Sequence, residues 1–427
     1  MDKKDFKIRK GVLKQYVGSS PDVIIPDTVT TIGEQAFDGC SFLTSVSIPN
    51  SVTVIEYAAF RGCSSLASIT IPDSVVEIGM TVFGDCSSLT SITIPDSVTR
   101  IKPCAFNGCS SLTSITIPDS VKEIGFSEFN ECSSLESIVV SEGNKVYDSR
   151  NNCNAIIETS TNKLLFGCKS TIIPDTVTAI GRDAFNGCSA LASIVIPDSV
   201  ESIGKGAFWG CTSLTTITIP EKVTEMAATF YECSSLSSVI LPDSVTRIGD
   251  NTFHSCTSLK NITLPDSVTF IGEGAFWGCT SLSAITIPDS VKEIKGRAFN
   301  SCSSLKNVTI SNSVSEIDSD TFCDCSSLTD VIIPDSVQSI NDRAFYRCTS
   351  LTNVKISDSV TSIGYRAFGN CSSLTDITIP DSVTNINDFA FLESPLKDKM
   401  EDWMKNNGFE KDETNASKYQ PAIWVKK

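Results

Sequence analysis

Cysteine is the residue type in this sequence whose number and spacing most suggest chemistry. The 427 residues include 18 cysteines, enough for a disulfide framework or a metal cluster. Most of them recur with a period of 23 residues, whereas disulfide frameworks usually have irregular spacings in short chains. A small apolar residue at a buried corner explains such a period without any bond. We therefore predict buried free thiols for the recurrent set, which comprises Cys40, Cys63, Cys86, Cys109, Cys132, Cys188, Cys211, Cys233, Cys256, Cys279, Cys302, Cys325, Cys348 and Cys371.

Aspartate recurs as well, in most copies directly after a proline. A stacked row of carboxylates would suit Ca²⁺, which prefers oxygen ligands. The alternative is that each aspartate accepts hydrogen bonds from turn amides beside the proline. We favour the turn, and calcium-dependent melting would support the metal site instead. The row comprises Asp27, Asp73, Asp96, Asp119, Asp175, Asp198, Asp243, Asp266, Asp289, Asp335, Asp358 and Asp381.

Catalytic constellations are missing from the sequence. The sole histidine, His254, has no partner residue at a meaningful spacing. A GxSxG elbow, a glycine-rich phosphate loop and an HExxH helix are also missing. We therefore predict that the protein is not an enzyme and that it uses no cofactor and no metal.

A repeat of 23 residues positions these side chains, and its copies run from about residue 22 to residue 391. Residues 256–278, for example, read CTSLKNITLPDSVTFIGEGAFWG. Ile262 and Leu264 alternate with polar residues, which predicts a strand with one buried face. Pro265 cannot donate a ladder hydrogen bond, so the strand should end there.

The second half of the repeat returns the chain to the core. Ile271 is followed by Gly272, and other copies have Gly, Asn or Asp here, the residues that best tolerate positive φ. We therefore predict a left-handed corner at Gly272, followed by a short helical turn that buries Ala275 and Phe276. Each coil buries its aliphatic side chains only against its neighbours. The sequence thus predicts a β-rich solenoid of 23-residue coils with a parallel sheet.

The two ends of the chain depart from the repeat. Residues 1–21 are predicted to form an N-terminal cap, residues 22–391 the solenoid, and residues 392–427 a C-terminal cap and tail. Residues 395–408 begin with proline, end with glycine and place apolar residues on one face. This pattern predicts a capping helix.

An irregular insertion within residues 141–171 interrupts the period once. Residues 155–158 and 163–166 are apolar segments on either side of a polar Thr-Ser-Thr-Asn stretch, which is typical of a β-hairpin. The repeat resumes in phase afterwards, so the insertion lies inside one coil and need not separate two folds.

These residues carry a family resemblance. The pattern CSSLTSITIPDSVTxIGxxAFxG, as in residues 86–108, resembles the BspA-like leucine-rich repeat, also called the Treponema pallidum type. The length and the recurrent Pro-Asp, Ile-Gly, Ala-Phe and Gly-Cys pairs make the match specific. The resemblance implies a right-handed leucine-rich repeat solenoid. Family members are generally regarded as surface or secreted proteins that bind other proteins, host matrix components among them, and many lack an enzymatic activity. An adhesin-like role is therefore implied.

Two columns vary between copies, and variable exposed positions are where recognition is expected. The first column is the first outward residue of the strand, on the presumed concave sheet. It is serine in most N-terminal copies, whereas the C-terminal half offers more directional hydrogen bonding. The alternative is a solvated ladder without a binding role. The candidates are Asn261, Asn307, Asp330, Asn353 and Asp376.

The second column follows the repeat phenylalanine and holds Trp209, Tyr231, His254, Trp277 and Tyr346. Aromatic residues one coil apart would form an exposed stripe, and Trp and Tyr are enriched in binding hot spots. The alternative is that the rings lie flat over the glycine of a neighbouring coil. A protein partner is the first expectation. A carbohydrate is the alternative, because aromatic stripes and Asn/Asp rows also suit sugars, and a passive scaffold is the third.

Net charge limits the classes of partner that we expect, and hydropathy bears on the cellular compartment. A net charge of −16 disfavours nucleic acid and anionic membrane surfaces. No apolar run is long enough to span a bilayer, and the N-terminal residues lack the features of a secretion signal. We expect a monomer, located in the cytoplasm on the sequence as given. The family resemblance favours the cell surface or secretion instead.

Overall fold

The fold of residues 3–414 and 422–427 is described by a computed structural model. The chain divides into two compact units, residues 1–214 and residues 215–427. Both units consist of stacked coils of about 23 residues, and equivalent strands of neighbouring coils pair in parallel. The predicted β-solenoid is therefore confirmed in each unit.

The first strand of a coil precedes the Pro-Asp turn and is called the face strand here. Its central residue is buried and its outward residues are exposed, as the alternation predicts. In the first unit the face strands are Asp22–Ile24, Ser45–Ser47, Ser68–Thr70, Ser91–Thr93, Ser114–Ile117 and Ser137–Val140. In the second unit they are Thr216–Thr218, Ser238–Ile240, Ala284–Thr286, Asn307–Thr309, Asp330–Ile332 and Asn353–Lys355.

The second strand of a coil is called the back strand and is usually two residues long. It buries its aliphatic residue and turns the preceding residue outward. In the first unit the back strands are Thr31–Ile32, Val54–Ile55, Glu77–Ile78, Arg100–Ile101, Glu123–Ile124, Ala179–Ile180 and Ser202–Ile203. In the second unit they are Glu225–Met226, Arg247–Ile248, Phe270–Ile271, Glu293–Ile294, Glu316–Ile317, Ser339–Ile340, Ser362–Ile363 and Asn385–Asn387.

An antiparallel hairpin covers the N-terminal end of the first unit. A 3₁₀ turn at Lys3–Asp5 leads into the strands Phe6–Arg9 and Val12–Tyr16. The second of these strands pairs in parallel with the first back strand. Its Tyr16 ring lies 5.3 Å from the ring of Phe37, so the first phenylalanine of the array is covered.

A helix and two strands follow the last coil. The helix spans Lys397–Asn406 and buries two methionines, which confirms the helix predicted within residues 395–408. The strands Phe409–Asp412 and Ile423–Lys426 pair antiparallel, and the latter also pairs with Asn385–Asn387. No helix among the described residues has the length and apolar character needed to cross a membrane.

The insertion forms the predicted β-hairpin. Ala155–Glu158 and Lys163–Gly167 pair antiparallel, preceded by the strand Tyr147–Asp148 and the 3₁₀ turn Arg150–Asn152. The strand Lys163–Gly167 also pairs in parallel with Ala179–Ile180. It therefore takes the place of a back strand, which explains how the repeat resumes in phase.

Phenylalanine and cysteine ladders fill the interior. Ring centroids of successive phenylalanines lie 4.9–5.8 Å apart along Phe37, Phe60, Phe83, Phe106 and Phe129. They lie 5.2–5.7 Å apart along Phe230, Phe253, Phe276, Phe299, Phe322, Phe345, Phe368 and Phe391. The recurrent cysteines are buried, except for the partly exposed Cys40. Cys279 Sγ, for example, donates to the carbonyl oxygen of Phe253 at 3.1 Å.

The left-handed corner predicted at Gly272 is wrong. Positive φ occurs two residues later, at Gly274 (58°), and at the equivalent Arg297 (61°) and Asp320 (57°). A Cβ atom at Gly272 would instead lie 2.5 Å from the backbone nitrogen of Asp250. Glycine is therefore needed there because two coils approach closely, not because of φ.

Candidate partner-binding surfaces

Three polar side chains form one row on the face strands of the second unit. Asn307 pairs with Asp330, and Asp330 pairs with Asn353, in the parallel ladder. All three residues are exposed. Neighbouring parallel strands lie about 4.8 Å apart, so amide and carboxylate groups are presented at close and regular spacing. The structure thus brings three of the predicted residues together.

Of the other two members of this column, Asn261 stands apart from that row and Asp376 extends it. The coils of Asn353 and Asp376 are joined by the parallel bridge between Lys355 and Thr378. Asn261 and Asp376 are exposed, but their own coils have no face strand at these positions. The Ala284 strand pairs directly with that of Asn307, so an alanine occupies the coil between Asn261 and the row. The Asp376 carboxylate accepts the N–H of Ile377 at 3.1 Å. Only one of its oxygens is therefore engaged locally.

Three aromatic rings stack on one another in the second unit. The ring centroids of Tyr231 and His254 lie 4.3 Å apart with nearly parallel planes, and those of His254 and Trp277 lie 5.1 Å apart. All three side chains are half-buried. The guanidinium of Arg297 lies 5.8 Å from the Trp277 ring. The three rings are therefore in contact along these coils: Tyr231 stacks face to face on His254, whereas the Trp277 ring is tilted by 53° to the His254 ring.

His254 lies in the middle of this stack. Burial lowers its pKa from an ordinary value of about 6.5, so the imidazole is neutral at physiological pH. Its Nδ1 lies 3.0 Å from the hydroxyl oxygen of the adjacent Ser255. Because Tyr231 and Trp277 lie against the two sides of the ring, its role in the stack is packing.

Trp209 belongs to the first unit and is 38% exposed. A Cβ atom added to Gly206 would lie 3.7 Å from Cε3 of Trp209, and one added to Gly274 would lie 3.5 Å from Cε3 of Trp277. Each tryptophan therefore lies against the glycine three residues earlier in its own coil. The alternative of packing over a neighbouring coil's glycine applies to Tyr346, because a Cβ atom added to Gly369 in the following coil would lie 3.2 Å from Cδ2 of Tyr346.

Tyr346 is only 8% exposed, so its predicted exposure is wrong. The guanidinium groups of Arg343, Arg347 and Arg366 lie 5.3, 5.2 and 5.8 Å from its ring centroid. The Tyr346 hydroxyl accepts a hydrogen bond from Asn370 Nδ2 at 3.3 Å. Cation–π contacts of this kind stabilise the cover over the ring. Tyr346 is thus not available as an aromatic contact residue.

Two aliphatic residues that were not predicted as a site are strongly exposed on the first unit. Ile172 is 74% exposed and Val195 is 82% exposed. They hold the second outward face position in consecutive coils, where most copies have serine or threonine. The cleft between the two coils has a volume of about 800 Å³. The signal in the sequence was the pair of successive aliphatics in a hydroxyl column.

The cleft exists because the two coils separate on one side only. Their back strands stay paired, and their phenylalanine rings stack 5.1 Å apart. The face segments, residues 171–173 and 193–196, are not strands. The N–H of Ile172 donates instead to the carbonyl of Cys153 in the insertion, at 3.0 Å. The two coils are therefore joined at the back and open at the face.

The recurrent aspartates lie in turns, and the recurrent cysteines are packed in the interior. All twelve aspartates of the row are exposed turn residues. Across residues 3–414 and 422–427, no three histidine, cysteine, aspartate or glutamate side chains are grouped so that they could hold a metal ion. Burial raises the pKa of the Cys86 thiol to about 12. The reactive thiolate of Cys86 is therefore scarce at neutral pH.

The comparison with protein families decides the classification. The family described as "BspA type Leucine rich repeat region (6 copies)" matches residues 7–136, 54–159, 155–281, 226–348 and 315–400. The chain belongs to this BspA-type leucine-rich repeat family. The resemblance carried by the Pro-Asp, Ile-Gly and Ala-Phe pairs is confirmed. Leucine-rich repeat solenoids of this kind are generally non-enzymatic protein-interaction scaffolds.

Solved structures of bacterial leucine-rich repeat proteins resemble this BspA-type chain. A leucine-rich repeat protein from Bacteroides ovatus is 28% identical, with a TM-score of 0.53, over 87% of this chain and 90% of the other. One from Eubacterium ventriosum is 24% identical, with a TM-score of 0.45, over 90% and 88%. The pneumococcal vaccine antigen PcpA shares the fold at 20% identity, with a TM-score of 0.52, over 78% and 74%. No curated protein matches the sequence.

Proposed function

We propose that this BspA-type solenoid is a non-enzymatic protein that binds another protein through its face strands, in an adhesin-like role. The observation that carries the proposal is the exposed pair Ile172 and Val195 beside the open cleft. Adjacent exposed aliphatic side chains with a polar rim are typical of protein-binding sites. The rim here includes Asp175, Ser193 and Asp198.

Burial of the two aliphatic side chains would contribute a large part of the binding free energy. Burying an aliphatic side chain of this size contributes about 1.5–3 kcal/mol, so the pair would supply roughly 3–6 kcal/mol. Complexes in the millimolar to micromolar range need about 4–8 kcal/mol. The two side chains would therefore supply a large share of the affinity. The row of Asn307, Asp330 and Asn353 on the second unit is a separate candidate surface that offers directional hydrogen bonds.

A carbohydrate partner is less favoured by the aromatic geometry. Sugars stack on an aromatic ring whose face is open. Tyr231 and Trp277 lie against the two sides of His254, and Arg297 lies on Trp277. Loss of glycan-array binding in Trp209→Ala or Trp277→Ala would nevertheless support this alternative. The compartment stays a prediction, cytoplasm or cell surface, which fractionation of the source cells would distinguish.

The proposal is tested by placing threonine, a common residue at the second outward face position, at both sites. Ile172→Thr/Val195→Thr replaces both side chains by the threonine found in many other coils. The matched control is Ile240→Thr/Ile332→Thr, which removes exposed isoleucines from the same column where they are isolated from each other. A partner captured by the wild-type chain is identified, purified and titrated against all three proteins.

The first variant should bind at least about tenfold more weakly than wild type, and the control within about twofold. Thermal melting of each variant checks that the fold is intact. Equal affinities for all three proteins would reject this surface. An equal loss in both variants would reject the special role of the adjacent pair.

A further inference from the structure

A charged cleft opens on the second unit beside the back strand of Phe270. Its volume is about 490 Å³, and its lining residues come from four successive coils. Asp250, Glu273 and Ser319 line it from three of these coils, whereas the remaining coil has Gly296 at the equivalent position. Gly296 contributes no side chain to the lining, and a Cβ atom there would lie 2.9 Å from the carbonyl oxygen of Ser319, so this cleft is a local departure from the repeat.

Carboxylates outnumber basic groups in this cleft. Four acidic residues and two basic residues line it. Both basic side chains already have acidic partners: Arg297 Nη1 lies 3.1 Å from Glu273 Oε1, and Lys295 Nζ lies 2.8 Å from Glu293 Oε2, outside the cleft lining. These pairs leave the remaining carboxylates of the cleft short of positive charge.

Asp250 and Asp318 are the two such carboxylates on opposite walls. Asp250 Oδ1 accepts the N–H of Glu273 at 2.9 Å, and Asp318 Oδ1 accepts the N–H of Ser319 at 2.6 Å. In the part of the chain that the structure describes, neither carboxylate has a lysine or arginine nitrogen within ion-pair distance. One oxygen of each is therefore available to a donor that enters the cleft.

A third carboxylate, that of Asp320, is buried at the end of the cleft. The residue is 8% exposed, and its Oδ1 has no donor in hydrogen-bond geometry among the described residues. Arg343 Nε lies 3.1 Å from Oδ1 and Arg297 Nε lies 3.9 Å from Oδ2, which gives ion-pair contacts without satisfying that oxygen. A buried acceptor left without a hydrogen bond costs free energy.

The aromatic wall of the cleft already contacts cations. The guanidinium of Arg247 lies 3.9 Å from the ring centroid of Phe270, and Lys295 Nζ lies 6.0 Å from it. A planar guanidinium combines stacking on such a ring with paired hydrogen bonds to a carboxylate, which an ammonium does less well. Since no group of ligating side chains among the described residues could hold a metal, the cation that fits here is organic.

We propose that this cleft binds an arginine side chain in a basic segment of a protein partner. The net charge of −16 attracts such a segment over a long range, and Asp250 and Asp318 receive its guanidinium. The proposal deepens the proposed protein binding by naming the chemistry of the partner. It does not depend on the cleft between Ile172 and Val195.

The test uses the full-length protein and a defined probe. A fluorescent peptide of alternating arginine and glycine is titrated by anisotropy at about 0.15 M salt, where long-range attraction is strongly screened. The matched peptide has citrulline in place of arginine, which keeps the shape and removes the charge. A third peptide has lysine. The cleft variant is Asp250→Asn/Asp318→Asn, and the control is Asp73→Asn/Asp96→Asn, which removes the same charge from exposed turns of the first unit.

The arginine peptide should bind the cleft variant roughly tenfold or more weakly than wild type, and the control within about twofold. Equal losses in both variants would show attraction by net charge alone and would overturn the proposal. So would equal binding of the citrulline or lysine peptide, or no binding of the arginine peptide to wild type. Failure here with intact dependence on Ile172 and Val195 would leave the proposed function standing.

Discussion

Replacing Glu128 by glutamine should remove a pH dependence from the stability of the first unit. Glu128 is fully buried at a position where neighbouring coils have Ala105 and Ala184. Its Oε2 accepts the N–H of Ala105 at 2.8 Å, while Oε1 has no partner in hydrogen-bond geometry among the residues that the structure describes. Burial raises the pKa of Glu128 to about 8. The folded state therefore prefers the protonated side chain.

The sign and the size of the effect follow from that pKa. Below the ordinary glutamate pKa of about 4.3, both the folded and the unfolded states hold the proton and stability is unaffected. As pH rises toward 8, the unfolded state loses its proton first, so the free energy of unfolding falls by up to about 1.4 kcal/mol per pH unit. The accumulated loss at neutral pH is on the order of 3 kcal/mol. Glutamine has no proton to lose.

Urea unfolding of wild type and Glu128→Gln at about pH 5 and about pH 8 measures this effect. The variant should gain roughly 3 kcal/mol relative to wild type between the two pH values. Comparing two pH values cancels the constant cost of burying an amide, and the other ionisable groups of the protein are the same in both proteins. Glu123→Gln, at an exposed position of the same coil, is the control. A difference between variant and wild type that is the same at both pH values would refute the reasoning.

Three further outcomes are expected. Phe276→Ala should lower the free energy of unfolding by about 3–5 kcal/mol, because the ring is buried between two other phenylalanine rings. The control Phe126→Ala removes a 66% exposed ring and should lower it by less than about 1 kcal/mol in the same denaturation experiment. Under native conditions, a thiol reagent should label the partly exposed Cys40 and Cys104 before the buried cysteines, as peptide mass spectrometry would show; uniform labelling would contradict the packing. Chelation should leave the melting temperature unchanged, and a calcium-dependent rise would establish the aspartate row as a metal site.

The period and the alternation of the sequence were enough to predict the coil. Ile262 and Phe276 were predicted to point inward, and both are buried. The hairpin and the helix were also located, because each replaces the period with a pattern of its own. The reason for Gly272 was not recoverable, since both positive φ and close backbone approach select glycine. The structure distinguishes the two causes: φ is positive at Gly274 instead, and a Cβ atom at Gly272 would lie 2.5 Å from the backbone nitrogen of Asp250.

The candidate surfaces were less predictable, because they depend on contacts between coils. The exposure of Asn307 and Asp330 follows from strand alternation within one coil. The burial of Tyr346 does not, since Arg366, which covers part of its ring, enters from the following coil. Ile172 is exposed for a similar reason: its amide pairs with the insertion, which no periodicity describes.

Both clefts lie where the repeat fails locally. Gly296 omits a side chain beside Phe270, and residues 193–196 omit a face strand beside Ile172, while the phenylalanine ladder continues beneath each site. In a solenoid each coil contacts only its neighbours, so such an omission costs stability at one or two interfaces and leaves the rest of the array unchanged. Recognition can therefore change coil by coil without a change of fold. For this reason the residues that depart from the repeat are better candidates for function than the residues that define it.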